Sequence, residues 1–222
     1  MPGLFITGSG TDVGKTYVAA ALIRTLRARG QAVKALKPLA SGFEADDWAG
    51  SDPGRLADAL GWPPNASTLE ALSPWRFRAP LSPDMAAEAE GRTVDFSADV
   101  ALCRRRLAEA GEALLLIEGV GGVMSPIDPA TTNLDLMAAL GAPVLLVCGG
   151  YLGTISHALT AIAAVRGRNL DLRTVVVSDT TPDGPPFDKT LASISRLAPR
   201  ETVIGVGRDA AGWEDVALAR IL

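Results

Sequence analysis

The sequence predicts a doubly wound α/β fold, a mainly parallel sheet with helices on both faces. Three observations lead there. Short runs with no polar alternation, such as Leu114-Leu115-Leu116-Ile117, are interspersed with stretches of helical period, and strands apolar on both sides are those covered on both sides. Strand-like and helix-like segments alternate from end to end, as crossover connections between parallel strands require. The glycine-rich or polar segments 8–14, 37–42 and 118–122 each follow a predicted strand, so right-handed crossovers would collect them at one carboxyl edge, where such sheets bind ligands.

The elements follow in order. Residues 4–7 form an apolar run stopped by Gly8, and 15–29 carry Val18, Leu22, Ile23 and Leu26 at helical spacing before Gly30. Residues 32–36 read as a second strand, stopped by Pro38 and expected beside the first. A polar, irregular region runs from 41 to 83, with helical pieces near 55–60 and 85–90. A helix at 99–111 precedes a wholly apolar strand at 113–117. Next come a capped helix at 133–140, a strand at 143–148, a helix at 155–166, a strand at 170–177, a helix at 189–197 and a last strand at 202–206. No repeat, low-complexity stretch or linker divides the 222 residues, which read as a single domain.

Composition narrows the function classes. Hydrophobic residues make up 48% and charged residues 21%, close to the globular average, which excludes a disordered or fibrous chain. Net charge is −4, and the short basic run Arg104-Arg105-Arg106 is followed by Glu109 and Glu112, so no nucleic-acid partner is expected. The apolar stretch 143–150 is far short of the ~20 residues that cross a bilayer. Met1-Pro2-Gly3 leads directly into a strand without a signal-peptide pattern, so the reading is cytoplasmic, with no membrane partner. Cys103 and Cys148 fall in a helix and a buried strand, which argues against a disulfide scaffold or a cysteine zinc site.

The strongest chemical signal is Gly8-Ser9-Gly10-Thr11-Asp12-Val13-Gly14-Lys15-Thr16, between the first strand and the first helix. Glycines let successive backbone N–H groups point at phosphate oxygens, and the helix adds its positive end. Lys15 would reach the β- and γ-phosphates, and the Thr16 hydroxyl would ligate Mg²⁺. The fold is therefore expected to be of the P-loop NTPase type. The common loop spacing would place glycine at position 9; here the glycine is Gly8, one residue earlier.

Glu118 ends a buried strand and is followed by Gly119, Val120, Gly121 and Gly122. An acid there suits a magnesium ligand, and Mg²⁺ commonly takes one or two carboxylates with phosphate oxygens and waters. Asp52, in Ser51-Asp52-Pro53, is the candidate partner; it would serve equally well as the N-cap of the next helix. Lys37, in Lys37-Pro38-Leu39-Ala40-Ser41-Gly42, could add positive charge over a transferred phosphoryl group, although most lone lysines at strand ends are merely solvated.

Together these segments resemble dethiobiotin synthetases. The match rests on Thr7-Gly8 with Thr11-Asp12-Val13-Gly14-Lys15-Thr16, Leu36-Lys37-Pro38 with Ala40-Ser41-Gly42, and Ser51-Asp52. It continues through Pro80, Ser82-Pro83, Glu90-Gly91-Arg92, Ile117-Glu118-Gly119-Val120-Gly121-Gly122 and Leu152-Gly153-Thr154-Ile155-Ser156-His157. The longer phosphate loop is this family's form.

The resemblance implies an ATP- and Mg²⁺-dependent ligase of biotin biosynthesis. It would carboxylate 7,8-diaminopelargonate with CO₂, phosphorylate the carbamate and close a cyclic urea. Asp12, Val13, Gly14, Lys15, Thr16 and Tyr17 would then hold the nucleotide together with Asp52, Glu118, Gly119, Val120 and Gly121. Thr16, Asp52 and Glu118 would hold Mg²⁺, and Lys15 and Lys37 would be the catalytic cations. Thr11 and Ser41 would contact the diamine. Gly150, Tyr151, Leu152 and Gly153 would take the substrate carboxylate across a homodimer interface, with His157 a helix residue near it. Ser178 and Asp179 stand at the adenine-reading Asn-Asp position, and a serine offers fewer directed hydrogen bonds than an amide. Other departures are Gly10 in place of an acid, Asp84 where Ser-Pro-His is usual, Ser156 where Asn-His is usual, and Gly205-Val206-Gly207-Arg208 in place of a segment with Ile-Pro.

The rival readings are a partitioning-type dimeric switch ATPase, another P-loop synthetase acting on a different small molecule, and a non-catalytic nucleotide-binding scaffold in which Lys37, Ser41, Asp52 and Glu118 would be idle. The first carries a signature lysine early in the loop, where this chain has Gly10. The amidating branch of the second needs a glutaminase domain with a nucleophilic cysteine.

Overall fold

The computed structural model describes residues 3–63, 65–179, 184–207 and 210–222. Its main sheet has six strands: β1 (Gly3–Gly8), β2 (Val33–Leu36), β5 (Leu114–Glu118), β6 (Val144–Gly149), β7 (Leu172–Ser178) and β8 (Val203–Val206). Their order is β2-β5-β1-β6-β7-β8 and every pairing is parallel. A separate two-stranded parallel pair joins β3 (Leu39–Ala40) to β4 (Trp75–Arg76).

Strand side chains alternate between two apolar layers. Leu4, Ile6, Leu116, Leu145, Val147 and Val176 face a core completed by α1 (Lys15–Ala28), α2 (Asp52–Leu60) and α9 (Trp213–Ile221). Phe5, Leu115, Ile117, Leu146, Cys148 and Val177 face the other, completed by α5 (Phe96–Ala108), α6 (Asn133–Leu140), α7 (Thr154–Gly167) and α8 (Phe187–Leu197). Each buried Leu, Ile or Val contributes about 1.5–3 kcal/mol, so the two layers hold the sheet's carboxyl edge rigid beneath the loops.

The second strand does not lie beside the first, as the sequence had suggested: β5 sits between them. The physical reason is solvation. All five residues of β5 are buried, which suits an interior position. β2 begins with two partly exposed residues, and its Lys34 reaches out to the Glu109 carbonyl at 2.8 Å, as an edge strand allows. The consequence is functional, because Lys37 and Glu118 now leave neighbouring strands.

Element ends moved where capping decided them. The helix expected at 99–111 begins at Phe96, because the Asp95 carboxylate accepts the Ala98 N–H at 3.0 Å. The piece expected near 55–60 begins at Asp52, with the Ser51 hydroxyl accepting the Gly54 N–H at 3.2 Å. That settles one alternative: Ser51 is the N-cap, and the Asp52 carboxylate is left for other partners. The region 41–83 is more regular than expected, adding α3 (Ala66–Leu72) and β4 before α4 (Pro83–Ala89). α9 had no expected counterpart. Among the described residues no helix is long and apolar enough to cross a membrane.

Candidate active site

The loop between β1 and α1 is shaped by three backbone requirements. Asp12 and Gly14 take positive φ, 56° and 95°, the second as the left-handed N-cap of α1. A Cβ on Gly8 would stand 2.9 Å from both the Gly10 carbonyl and Val13, so only glycine fits that bend. Lys15, the first residue of α1, folds back over the loop and donates to the Gly10 carbonyl at 3.0 Å. Burial first, and the charge of Lys37 second, bring its pKa down to about 8.

The sequence segments converge beside it. Lys37, just past β2, is 3% exposed and donates to Glu118 Oε1 at 2.6 Å, while its Nζ lies 2.9 Å from Asp52 Oδ2. Thr16, on the first turn of α1, donates its hydroxyl to the same Glu118 Oε1 at 2.7 Å. Burial opposes the charge of Lys37, but the two carboxylates outweigh it and hold the ammonium strongly protonated. Asp52 is likewise opposed by burial and held below its ordinary value by Lys37. Glu118 Oε2 is buried without a hydrogen-bond partner among the described residues. Four side chains from four segments thus form one polar knot.

The knot floors a cleft of about 740 Å³. Thr11, Asp12, Gly14, Lys15, Thr16, Tyr17, Lys37, Ser41, Asp52, Val120 and Gly121 line it, so most of the expected site residues meet there. Glu118 lies behind the wall, joined through Lys37 and Thr16. Val13 is buried beneath the loop. Gly119 packs on Phe5, whose ring a Cβ would approach to 2.9 Å. Arg55, Pro80, Leu81, Ser82, Pro83 and Ser125 also line the cleft and were not assigned to it from sequence. Arg55 could have been found, lying one turn beyond Asp52 on the same helix face. Asn133 was missed too; its amide bonds the Val120 and Gly122 carbonyls and pins the loop after β5.

Comparison with known proteins decides the family. A family model described as "AAA domain" matches residues 2–206. The chain is 49% identical to an ATP-dependent dethiobiotin synthetase BioD of Caulobacter sp. (strain K31), covering 100% of this chain and 96% of that one. It is 50% identical to the protein of that name from Methylobacterium nodulans, covering 89% and 90%. The chain belongs to the dethiobiotin synthetase family. Among solved structures, the signal recognition particle receptor FtsY of Elizabethkingia anophelis has a TM-score of 0.55 at 15% identity, covering 100% of this chain and 66% of that one, a likeness of fold alone.

Several residues that the family resemblance had singled out stand apart from the cleft within one chain. Gly150, Tyr151, Leu152 and Gly153 sit beyond β6, with Leu152 87% exposed and Gly153 the left-handed N-cap of α7. Tyr151 Oη lies 2.8 Å from His157 Nδ1, which ties this segment to α7. Ser178 and Asp179 close β7 against Gly150. A second depression of about 440 Å³ runs from Ser9 and Thr11 to His157. Arg208, at the end of the departing segment, is outside the described residues. Both cysteines are buried and free, as their placement in helix and strand implied.

Proposed function

We propose that this chain acts as one P-loop domain that closes 7,8-diaminopelargonate and CO₂ to dethiobiotin with ATP as the phosphoryl donor. The observation that carries the reading is the knot of Lys37, Asp52, Glu118 and Thr16 beside Lys15 at the floor of a single cleft. Family membership at 49% identity over the whole chain supports it.

Each chemical step finds a group. One amine of the substrate adds to CO₂ and loses a proton, giving a carbamate. A carbamate oxygen attacks the terminal phosphorus of ATP and ADP leaves. The second amine attacks the carbonyl carbon, inorganic phosphate leaves, and loss of a proton completes the cyclic urea. The last attack is intramolecular between vicinal nitrogens, which removes most of its entropic cost. Lys15 holds the phosphates with the loop N–H groups of Asp12, Val13, Gly14, Thr16 and Tyr17. Lys37 balances negative charge on the carbamate and the moving phosphoryl group, where charge stabilisation dominates catalysis.

The donor set fits Mg²⁺. Thr16, Asp52 and Glu118 offer hard oxygens, and Glu118 Oε2 is a buried acceptor without a partner among the described residues. Among those residues no group of three or more His, Cys, Asp or Glu forms a self-sufficient metal site, which agrees with an ion completed by phosphate oxygens and water. When bound, Mg²⁺ would neutralise and orient the phosphate oxygens.

Thr11 and Ser41 face the diamine from the cleft walls; Ser41 Oγ is buried and unpartnered among the described residues. Gly150, Tyr151, Leu152 and Gly153 serve the partner of a homodimer. The first turn of α7 has no side-chain cap; the Thr154 N–H is taken by the Tyr151 carbonyl and the His157 N–H by the Gly153 carbonyl, which leaves the Ile155 and Ser156 N–H groups for a carboxylate. Ser178 and Asp179, with Gly119, Val120 and Gly121, border the nucleotide. The deciding experiment is phosphate release from ATP with bicarbonate and diamine omitted in turn. Release that requires both supports the reading; release without the diamine favours a switch ATPase and overturns it. Sedimentation to a monomer at working concentration would overturn the dimer.

A further inference from the structure

The Lys37 ammonium holds a position that its role in phosphoryl transfer cannot use. Its Nζ bridges Glu118 Oε1 at 2.6 Å and Asp52 Oδ2 at 2.9 Å, the two carboxylates assigned above to the metal. Thr16, the third assigned ligand, spends its hydroxyl proton on the same Glu118 oxygen. We propose that the Lys37 ammonium and a divalent cation compete for one seat between Asp52 and Glu118, so that metal loading and release of the catalytic lysine are a single event. This deepens, and rests on, the metal assignment of the proposed function.

Three features argue for competition. A cation ligated at about 2.0–2.1 Å to the same oxygens would overlap the space now held by Nζ. Two positive centres that close would repel strongly in a site where the remaining neighbour, Lys15, is also cationic. Lys37 also has somewhere to go: it lines the 740 Å³ cleft, so its flexible stem can turn the ammonium toward the terminal phosphoryl position without unpacking β2. Held between two carboxylates, Lys37 is neutralised and withheld from substrate. Turned into the cleft, it is an uncompensated cation facing the charge it must stabilise. The Thr16 hydroxyl changes in step, because once Glu118 no longer needs its proton the oxygen lone pairs can face the ion.

The full chain tests this without turnover. Mn²⁺ binding, read by electron paramagnetic resonance with a non-hydrolysable ATP analogue present to supply the phosphate oxygens, is compared between the unaltered protein and Lys37→Met, which keeps the stem and removes the charge. The expected result is at least a ten-fold gain in Mn²⁺ affinity in Lys37→Met. The unaltered protein supplies a second measurement that does not depend on the variant folding. Its lysines are Lys15, Lys34, Lys37 and Lys189, so side-chain ¹⁵N resonances are few. The Lys37 ammonium should be protected from hydrogen exchange and lose that protection as Mg²⁺ is added. Equal Mn²⁺ affinities, or a Lys37 resonance that stays protected at saturating Mg²⁺, would overturn the competition. Failure of the metal assignment looks different: Mn²⁺ affinity in the presence of ATP would then be unchanged by Glu118→Gln, which would overturn both.

Discussion

Lys15 carries a proton balance that nucleotide binding should disturb in a measurable way. Its side chain is buried, and burial together with the nearby Lys37 charge lowers its pKa from 10.5 to about 8. Holding that ammonium charged at neutral pH therefore costs about 3 kcal/mol. Phosphate oxygens placed at the same nitrogen reverse the field and return its proton affinity to that of a free lysine or above. The unliganded protein then lacks the Lys15 proton in about one molecule in ten at pH 7, half at pH 8 and nine in ten at pH 9, while the liganded protein keeps it throughout. Binding a non-hydrolysable ATP analogue should take up about 0.1, 0.5 and 0.9 protons at those three pH values. Isothermal titration calorimetry in paired buffers of different ionisation enthalpy reads this number directly. Uptake that stays near zero at pH 9 would mean that Lys15 remains charged on its own and that the reasoning about its surroundings is wrong.

Other perturbations separate the roles of neighbouring groups. Lys15→Met should abolish turnover and severely weaken triphosphate binding, yet raise Tm at pH 7 by about 4–8 °C, the relief of about 3 kcal/mol being offset by about 1 kcal/mol for the lost bond to the Gly10 carbonyl. Because the Lys15 pKa is lowered, that gain is full below pH 8 and fades as pH rises toward 10.5. Lys37→Ala should cut kcat by about 100-fold or more while the KM for ATP shifts only a few-fold; steady-state kinetics that show the reverse would make Lys37 a binding residue. Asp99 is fully buried on α5, bonded to Cys103 Sγ at 3.5 Å, and burial pushes its pKa up to about 7. A raised carboxyl pKa leaves its penalty absent below about pH 4 and complete above pH 7, so denaturant melts should show the unaltered protein losing about 2–3 kcal/mol relative to Asp99→Asn between pH 5 and pH 8. Gly121 has φ 60°, and a Cβ there would overlap Ser125; Gly121→Ala should cost about 1–3 kcal/mol in a thermal melt and impair turnover.

The sequence alone determined the alternation of strands and helices and the bend at Gly8 and Gly14, and it marked Lys15 and Glu118 as site candidates from local chemistry, while Lys37 and Asp52 stood open between a site and a solvated or capping role until the family resemblance was added. Apolar periodicity reports burial and glycine reports backbone conformation, whereas a lone charged group at a strand end is as often solvated as functional. Neighbouring residues compete over caps, and composition does not settle that contest: Ser51 took the cap that Asp52 could have filled. Strand order lay further beyond reach, since the pairing of β5 between β1 and β2 depends on which strand best tolerates an edge, a comparison across distant parts of the chain. Only the tertiary structure brought the Lys37 ammonium between two carboxylates and set Gly150, Tyr151, Leu152 and Gly153 away from the cleft of their own chain. Such positions are sums over long-range packing, and no window of sequence contains them.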